Sequence, residues 1–181
     1  MKEDRRVQKT KKAITDALLE LLEKSDFNQL TINDIAEKAN VNRGTIYFHY
    51  EDKYDLLNKC LEEKLSLLEE VCSPINMMSS EAELKKYFTS VYQFFDDNYN
   101  FFTVMLNNGG TSQFQEKFRS LILKEMRRLP ASKIGSNNQE FFTQFRVNAL
   151  VGVVEWWIKE NHPLTVDEMA NNTVVIFMKN K

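Results

Sequence analysis

Residues 31–53 read TINDIAEKANVNRGTIYFHYEDK, a pattern of two short helices joined by a tight turn, with one face of the second helix left polar. Thr31 followed by Asp34 has the form of a capping box with Asp in the Glu place. Ile32, Ile35, Ala36 and Ala39 then fall at i, i+3, i+4 and i+7, the spacing of one buried helix face. Ala36 and Ala39 are small enough to let a second helix approach closely. Asn40, one of the non-glycine types best able to take a positive φ, ends the first helix. In the turn Asn40-Val41-Asn42, Asn42 is a good N-cap for the next helix and Val41 pairs with Ile46 as a hydrophobic staple. Ile46 and Tyr50 continue the buried stripe. Arg43, Gly44, Thr45, Tyr47, Phe48 and His49 are left facing outward, a surface with donors, an apolar ring and little bulk at Gly44. Such a surface can lie against DNA, as the second helix of a helix-turn-helix does.

The segment resembles the DNA-binding domain of the TetR family of bacterial transcriptional regulators. The matching pieces are Thr31-Ile32, Ile35-Ala36 with Ala39, Val41, the run Gly44-Thr45-Ile46-Tyr47, His49-Tyr50, and Lys53 followed by Leu56-Leu57. The family usually carries Gly where this chain has Asn40 and Phe where it has Tyr50. Asn tolerates the left-handed conformation and Tyr keeps the aromatic ring, so both changes are compatible with the pattern. The resemblance implies an all-α fold of about nine helices. Residues 1–51 would form a three-helix helix-turn-helix domain, 52–72 a connecting helix, and 73–181 a helical bundle for ligand binding and dimerisation.

Working outward, residues 1–12 hold Lys2, Arg5, Arg6, Lys9, Lys11 and Lys12 against Glu3 and Asp4. The formal net charge of the whole chain is −2, which argues against a generic polyanion binder. The basic charge is instead concentrated beside the helix-turn-helix, where it suits phosphate or minor-groove contact. The 181 residues are 43% hydrophobic, enough for a packed core, and five Gly and three Pro leave room for long unbroken helices. The N-terminus runs directly into MKEDRRVQKTKK with no signal-peptide pattern, and no apolar run is long enough to span a bilayer. A soluble cytoplasmic protein without membrane partners is expected. Cys60 and Cys72, if both on the helix that starts near Asp52, stand about 18 Å apart along its axis, too far for a bond within one chain. They read as buried or half-buried thiols of a reducing compartment.

Helical spacing recurs through the rest of the chain and nothing alternates as strand. Residues 7–24 form a first, supporting helix, with Val7, Ile14, Ala17, Leu18, Leu21 and Leu22 on its core side. A fourth helix runs from Asp52 to about Val71, and Ser73 to Ser80, with Pro74, marks a domain boundary. Further helices are expected near 82–98, 100–108, 112–129, 138–161 and 166–179, separated by Gly109-Gly110, the loop Pro130 to Asn138, and His162-Pro163. Thr165 with Glu168 caps the last. This second half is rich in aromatic residues, which an ordinary bundle core also needs. By resemblance it holds an inducer pocket, and Phe88, Tyr92, Met105, Phe118 and Phe145 are placed at it; that lining favours an apolar or aromatic ligand. The last two helices carry more apolar residues than one layer buries. Val153, Trp157, Val174 and Phe177 are therefore placed at a homodimer interface of the four-helix type.

The expected partner is double-stranded DNA, read by two copies because one short helix reads too few base pairs. Arg43 would meet guanine or phosphate and Thr45 a thymine methyl or phosphate, while Tyr47 and His49 would hold the backbone. Thr31 and Lys53, with Asn42 and Gly44 at the start of the reader, complete the set. The family's usual outcome is repression relieved by a small-molecule effector. The alternative is control by a protein partner, or action as an activator. An enzyme is not expected: the two histidines are His49 on the reader and His162 before a proline, and no nucleophile motif, phosphate loop or metal-ligand spacing is present. No cofactor is implied.

Overall fold

The structure, a computed structural model, describes residues 5–72, 80–108, 111–127 and 139–178. Residues 73–79 of the expected domain boundary, the Gly109-Gly110 break and the Pro130–Asn138 loop lie outside the described residues. Within them the chain forms nine α-helices and no strand: α1 Arg5–Leu22, α2 Ile32–Lys38, α3 Arg43–His49, α4 Lys53–Cys72, α5 Glu81–Asp97, α6 Tyr99–Asn107, α7 Thr111–Arg127, α8 Gln139–Lys159 and α9 Val166–Met178. The all-α architecture is the one expected, and each helix lies within two residues of its expected start and end.

Local chemistry explains the boundaries of the first helices. At α2 the Thr31 hydroxyl accepts from the Asp34 amide at 3.3 Å, and the Asp34 carboxylate accepts from the Thr31 amide at 2.8 Å. The Thr31 hydroxyl and then the Thr31 amide hold the Asp34 carboxyl below its ordinary range. Asn40 adopts φ 52°, the left-handed turn that ends α2. The Asn42 side chain accepts from the Gly44 amide at 2.9 Å and so caps α3. Ile14 and Leu18 of α1, Ile35 of α2, Ile46 of α3 and Leu56 of α4 are fully buried around one small core. Each such side chain contributes roughly 1.5–3 kcal/mol relative to leaving it in water.

The C-terminal helices pack as a bundle in which α5 lies along α9, α7 along α8, and α4 against both α5 and α7. Its centre is aromatic. Phe95, Phe102, Phe114 and Phe118 meet one another at ring separations of 4.8–6.4 Å. The Tyr92 hydroxyl finds Thr173 at 2.7 Å, joining α5 to α9 inside the core. At the end of α8 the His162 ring stacks flat on Trp157 at 3.8 Å, with its Nδ1 2.9 Å from Asp96. The Trp157 indole N–H donates to the Leu164 carbonyl at 2.7 Å. This tryptophan is thereby satisfied on its polar edge and sealed on its faces.

Candidate nucleic-acid interface

Helix α3 buries Ile46 and presents the rest of its surface to solvent. Tyr47 is 45% exposed and Phe48 82%, while Thr45 and His49 are half-buried at the flanks. The Arg43 guanidinium lies 5.2 Å from the centre of the Tyr47 ring and donates to its hydroxyl at 3.0 Å. A Cβ at Gly44 would meet only the Asn42 side-chain oxygen, at an ordinary 3.5 Å, so the subunit itself does not require glycine there. The Thr31 hydroxyl stands exposed at the start of α2, engaged in its own capping box. Arg5, Arg6, Lys9 and Lys12 along α1 are exposed. Phe48, to which the sequence reading gave no contact role, is the most exposed large apolar residue of the reader.

Two lysines of α4 fix this reader in place. Lys59 donates to the His49 carbonyl at the end of α3, at 3.1 Å, and pairs with Asp55 at 2.7 Å. Lys53 differs from the phosphate role expected of it. Its ammonium spends all three protons on the carbonyls of Phe27, Asn28 and Leu30, at 2.9, 3.0 and 2.9 Å, and lies 5.0 Å from the centre of the Phe27 ring. Helix α4 is thereby tied to the α1–α2 turn through Lys53 and to the end of α3 through Lys59.

The residues expected at an inducer pocket do not all converge. Phe88, Tyr92 and Phe118 line a cavity between α5, α7 and α8, closed to about 10 Å³. Met105 is buried in α6 and does not line it. Phe145 is 54% exposed on the outer side of α8. The dimer set also needs correction. Trp157 and Val174 are core residues of the subunit, 0% and 3% exposed, and Phe177 is half-buried with its ring 5.1 Å from Phe88. The outward face is carried by Val153 and Phe177 of that set with their neighbours: Phe145, Ala149 and Trp156 of α8 and Asn172 and Ile176 of α9 line with them an open apolar groove of about 200 Å³. Successive helix positions stand about 100° apart, so Trp156 points out where Trp157 points in. Gly152 lies on the same exposed face, with open space where a Cβ would stand.

A capped turn that holds one short helix clear of the fold, with its polar face bare, defines a helix-turn-helix DNA-binding transcriptional regulator. Residues 14–60 match the bacterial regulatory proteins of the tetR family, and residues 82–179, more than half of the chain, match that family's transcriptional regulator C-terminal region. The chain belongs to the TetR family. It is 25% identical over 152 residues, 82% of its length, to the HTH-type transcriptional regulator YxbF of Bacillus subtilis (strain 168). Over 61 residues, 34% of its length, it is 36% identical to the probable acrEF/envCD operon repressor of Escherichia coli (strain K12). These matches span 39% and 28% of the two relatives' own lengths. In three dimensions it is similar to a TetR transcriptional regulator from Streptococcus agalactiae 2603V, at 25% identity and a TM-score of 0.70 over 96% of each chain. Regulators of this family are generally non-enzymatic DNA-binding proteins that typically act as dimers. Among the described residues no helix is long and apolar enough to cross a membrane.

Proposed function

We propose that the protein is a repressor that binds a near-palindromic operator as a homodimer and is released by a small apolar or aromatic ligand. The observation that carries this reading is the reader helix itself: Arg43, Tyr47 and Phe48 stand exposed on a helix whose other side is locked to α2 and α4. Arg43 offers a fork of donors that suits guanine or phosphate, and Thr45, Tyr47 and His49 flank it with groups that suit the DNA backbone. The exposed basic residues of α1 add the sequence-independent attraction that the net charge lacks. Repression is supported by the name of the Escherichia coli relative, which is similar over 61 residues, 34% of this chain.

Self-association is supported by the exposed apolar side chains of α8 and α9, among them Phe141 at 66%, Phe145 at 54%, Trp156 at 45% and Ile176 at 51%. They form one face, so a second copy using the same face would bury it symmetrically. Effector control is supported by the closed aromatic cavity. A ligand that binds only the opened cavity shifts the population of subunits toward that form, and α4, which packs on α5 and α7, carries the shift to the reader.

The test is binding of the purified protein to DNA from its own upstream region at two salt concentrations, with Arg43→Ala and Tyr47→Ala as comparisons. Sequence-specific binding by the parent that both substitutions abolish is the expected result. Equally weak, salt-sensitive binding to every DNA would overturn the operator reading, and a monomer by sedimentation at binding concentrations would overturn the dimer.

A further inference from the structure

Arg43 and Tyr47 stand one turn apart on α3, and the side chains of a helix lean toward its N-terminus, so the Tyr47 ring reaches back over the turn that carries Arg43. Their contact has two parts. The guanidinium carbon lies 5.2 Å from the ring centre, and Nη2 donates to the phenolic oxygen at 3.0 Å. Both residues are exposed, so the pair stands on the surface that the reader turns outward. Spending one Nη2 proton on Tyr47 does not blunt the arginine. Nη2 carries a second proton, and that N–H runs parallel to one on an adjacent nitrogen, so a two-pronged edge of the group remains for a ligand. The phenolic oxygen in turn accepts from Arg43 and keeps its own proton to donate elsewhere.

We propose that Tyr47 is a positioning residue for base recognition: it holds the Arg43 guanidinium on the reader so that the remaining fork meets O6 and N7 of a guanine in the major groove, and not a phosphate. This inference deepens the operator reading above and rests on it. In a helix-turn-helix the first residues of the reader meet base edges, and Arg43 is the first residue of α3. Guanine presents two acceptors side by side in the major groove, the match for a planar fork. A phosphate accepts from a guanidinium in many orientations, so fixing the group in one orientation gains selectivity only at a base. An arginine held before it docks also loses less freedom on binding, and the loss avoided adds to affinity. The free phenolic proton suits a phosphate oxygen. Tyr47 would then set the fork in register with the DNA backbone, and its two hydrogen bonds, one accepted and one donated, would strengthen each other.

The experiment is a fluorescence-anisotropy titration of the full-length protein on a duplex from its own upstream region and on a scrambled duplex of equal composition. Each duplex is made once with guanine and once with 7-deazaguanine, which pairs normally and lacks the N7 acceptor. The parent is expected to bind the upstream duplex roughly tenfold more weakly after the replacement, and the scrambled duplex equally in both forms. Arg43→Ala is expected to show no such penalty on either duplex. Tyr47→Phe keeps the ring and removes the oxygen that Arg43 meets, and is expected to reduce the parent's penalty by about threefold or more. A penalty of full size in either variant overturns the inference and leaves the operator reading standing. So does a parent that prefers the upstream duplex yet is indifferent to the replacement. A parent with no preference for the upstream duplex overturns both.

Discussion

Replacing Lys53 with methionine separates a brace from a DNA contact. The Lys53 ammonium donates to three carbonyls of the turn between α1 and α2, at 2.9–3.0 Å. Methionine keeps the aliphatic stem against Phe27 and removes all three bonds. A hydrogen bond from a charged donor is worth about 1.5–3 kcal/mol where water is excluded. Lys53 is half-buried and the three carbonyls can regain water, so the loss is set at about 2 kcal/mol in total, well below the sum. For a chain of this size each kcal/mol moves the melting temperature by about 2–4 °C, which gives a decrease of about 4–8 °C. Circular dichroism melts measure it. On DNA, the logarithmic slope of affinity against salt should be the same for both proteins, because the ammonium has no proton left for a phosphate. A melt unchanged within about 1 °C together with a salt slope smaller by about one would refute this reasoning and return Lys53 to the phosphate role.

Asn40 sits at φ 52°, so Asn40→Ala should cost about 1 kcal/mol in urea denaturation, and Asn40→Gly close to nothing; equal losses would mean that a side-chain contact matters, not the backbone. Burial holds the His162 imidazole below its ordinary 6.5, against the pull of Asp96. Folding therefore favours the neutral ring, and its contribution is complete above pH 6.5 and is lost as the pH falls through the lowered folded-state value. Melting temperatures should fall more between about pH 7.5 and 5.5 in the parent than in His162→Asn, which keeps a residue suited to φ 54°; parallel profiles would exclude His162 as the titrating group. Trp157→Ala should destabilise the subunit by about 3–5 kcal/mol. Trp156→Ala should leave subunit stability intact and shift sedimentation toward the monomer, and a reversal of the two effects would invert the assignment of the faces of α8.

The reader was legible in the sequence because its determinants are short-range. Thr31 with Asp34, Asn40 and Asn42 act within four residues of themselves, and their partners are in the same line of text. The C-terminal faces were not, because α8 carries apolar residues all round, and nothing in such a pattern says which side meets its own core. Trp156 and Trp157 are indistinguishable until α9 and Leu164 are placed beside them. Lys53 misled for a different reason. Its partners are main-chain carbonyls 23–26 residues away, and no side-chain pattern announces a carbonyl.

Gly152 stands in the middle of α8, where glycine costs a helix roughly 0.5–1 kcal/mol relative to alanine, and the space beside it is open. Among the described residues nothing stands within 4 Å of a Cβ placed there to compensate that cost. In a dimer formed through this face the missing side chain would reduce the separation of the facing helix axes, so the compensation would lie in the partner's backbone. Alanine at this position would then make each subunit more stable and the pair less so, and the sign of the change would depend on the protein concentration at which it is measured.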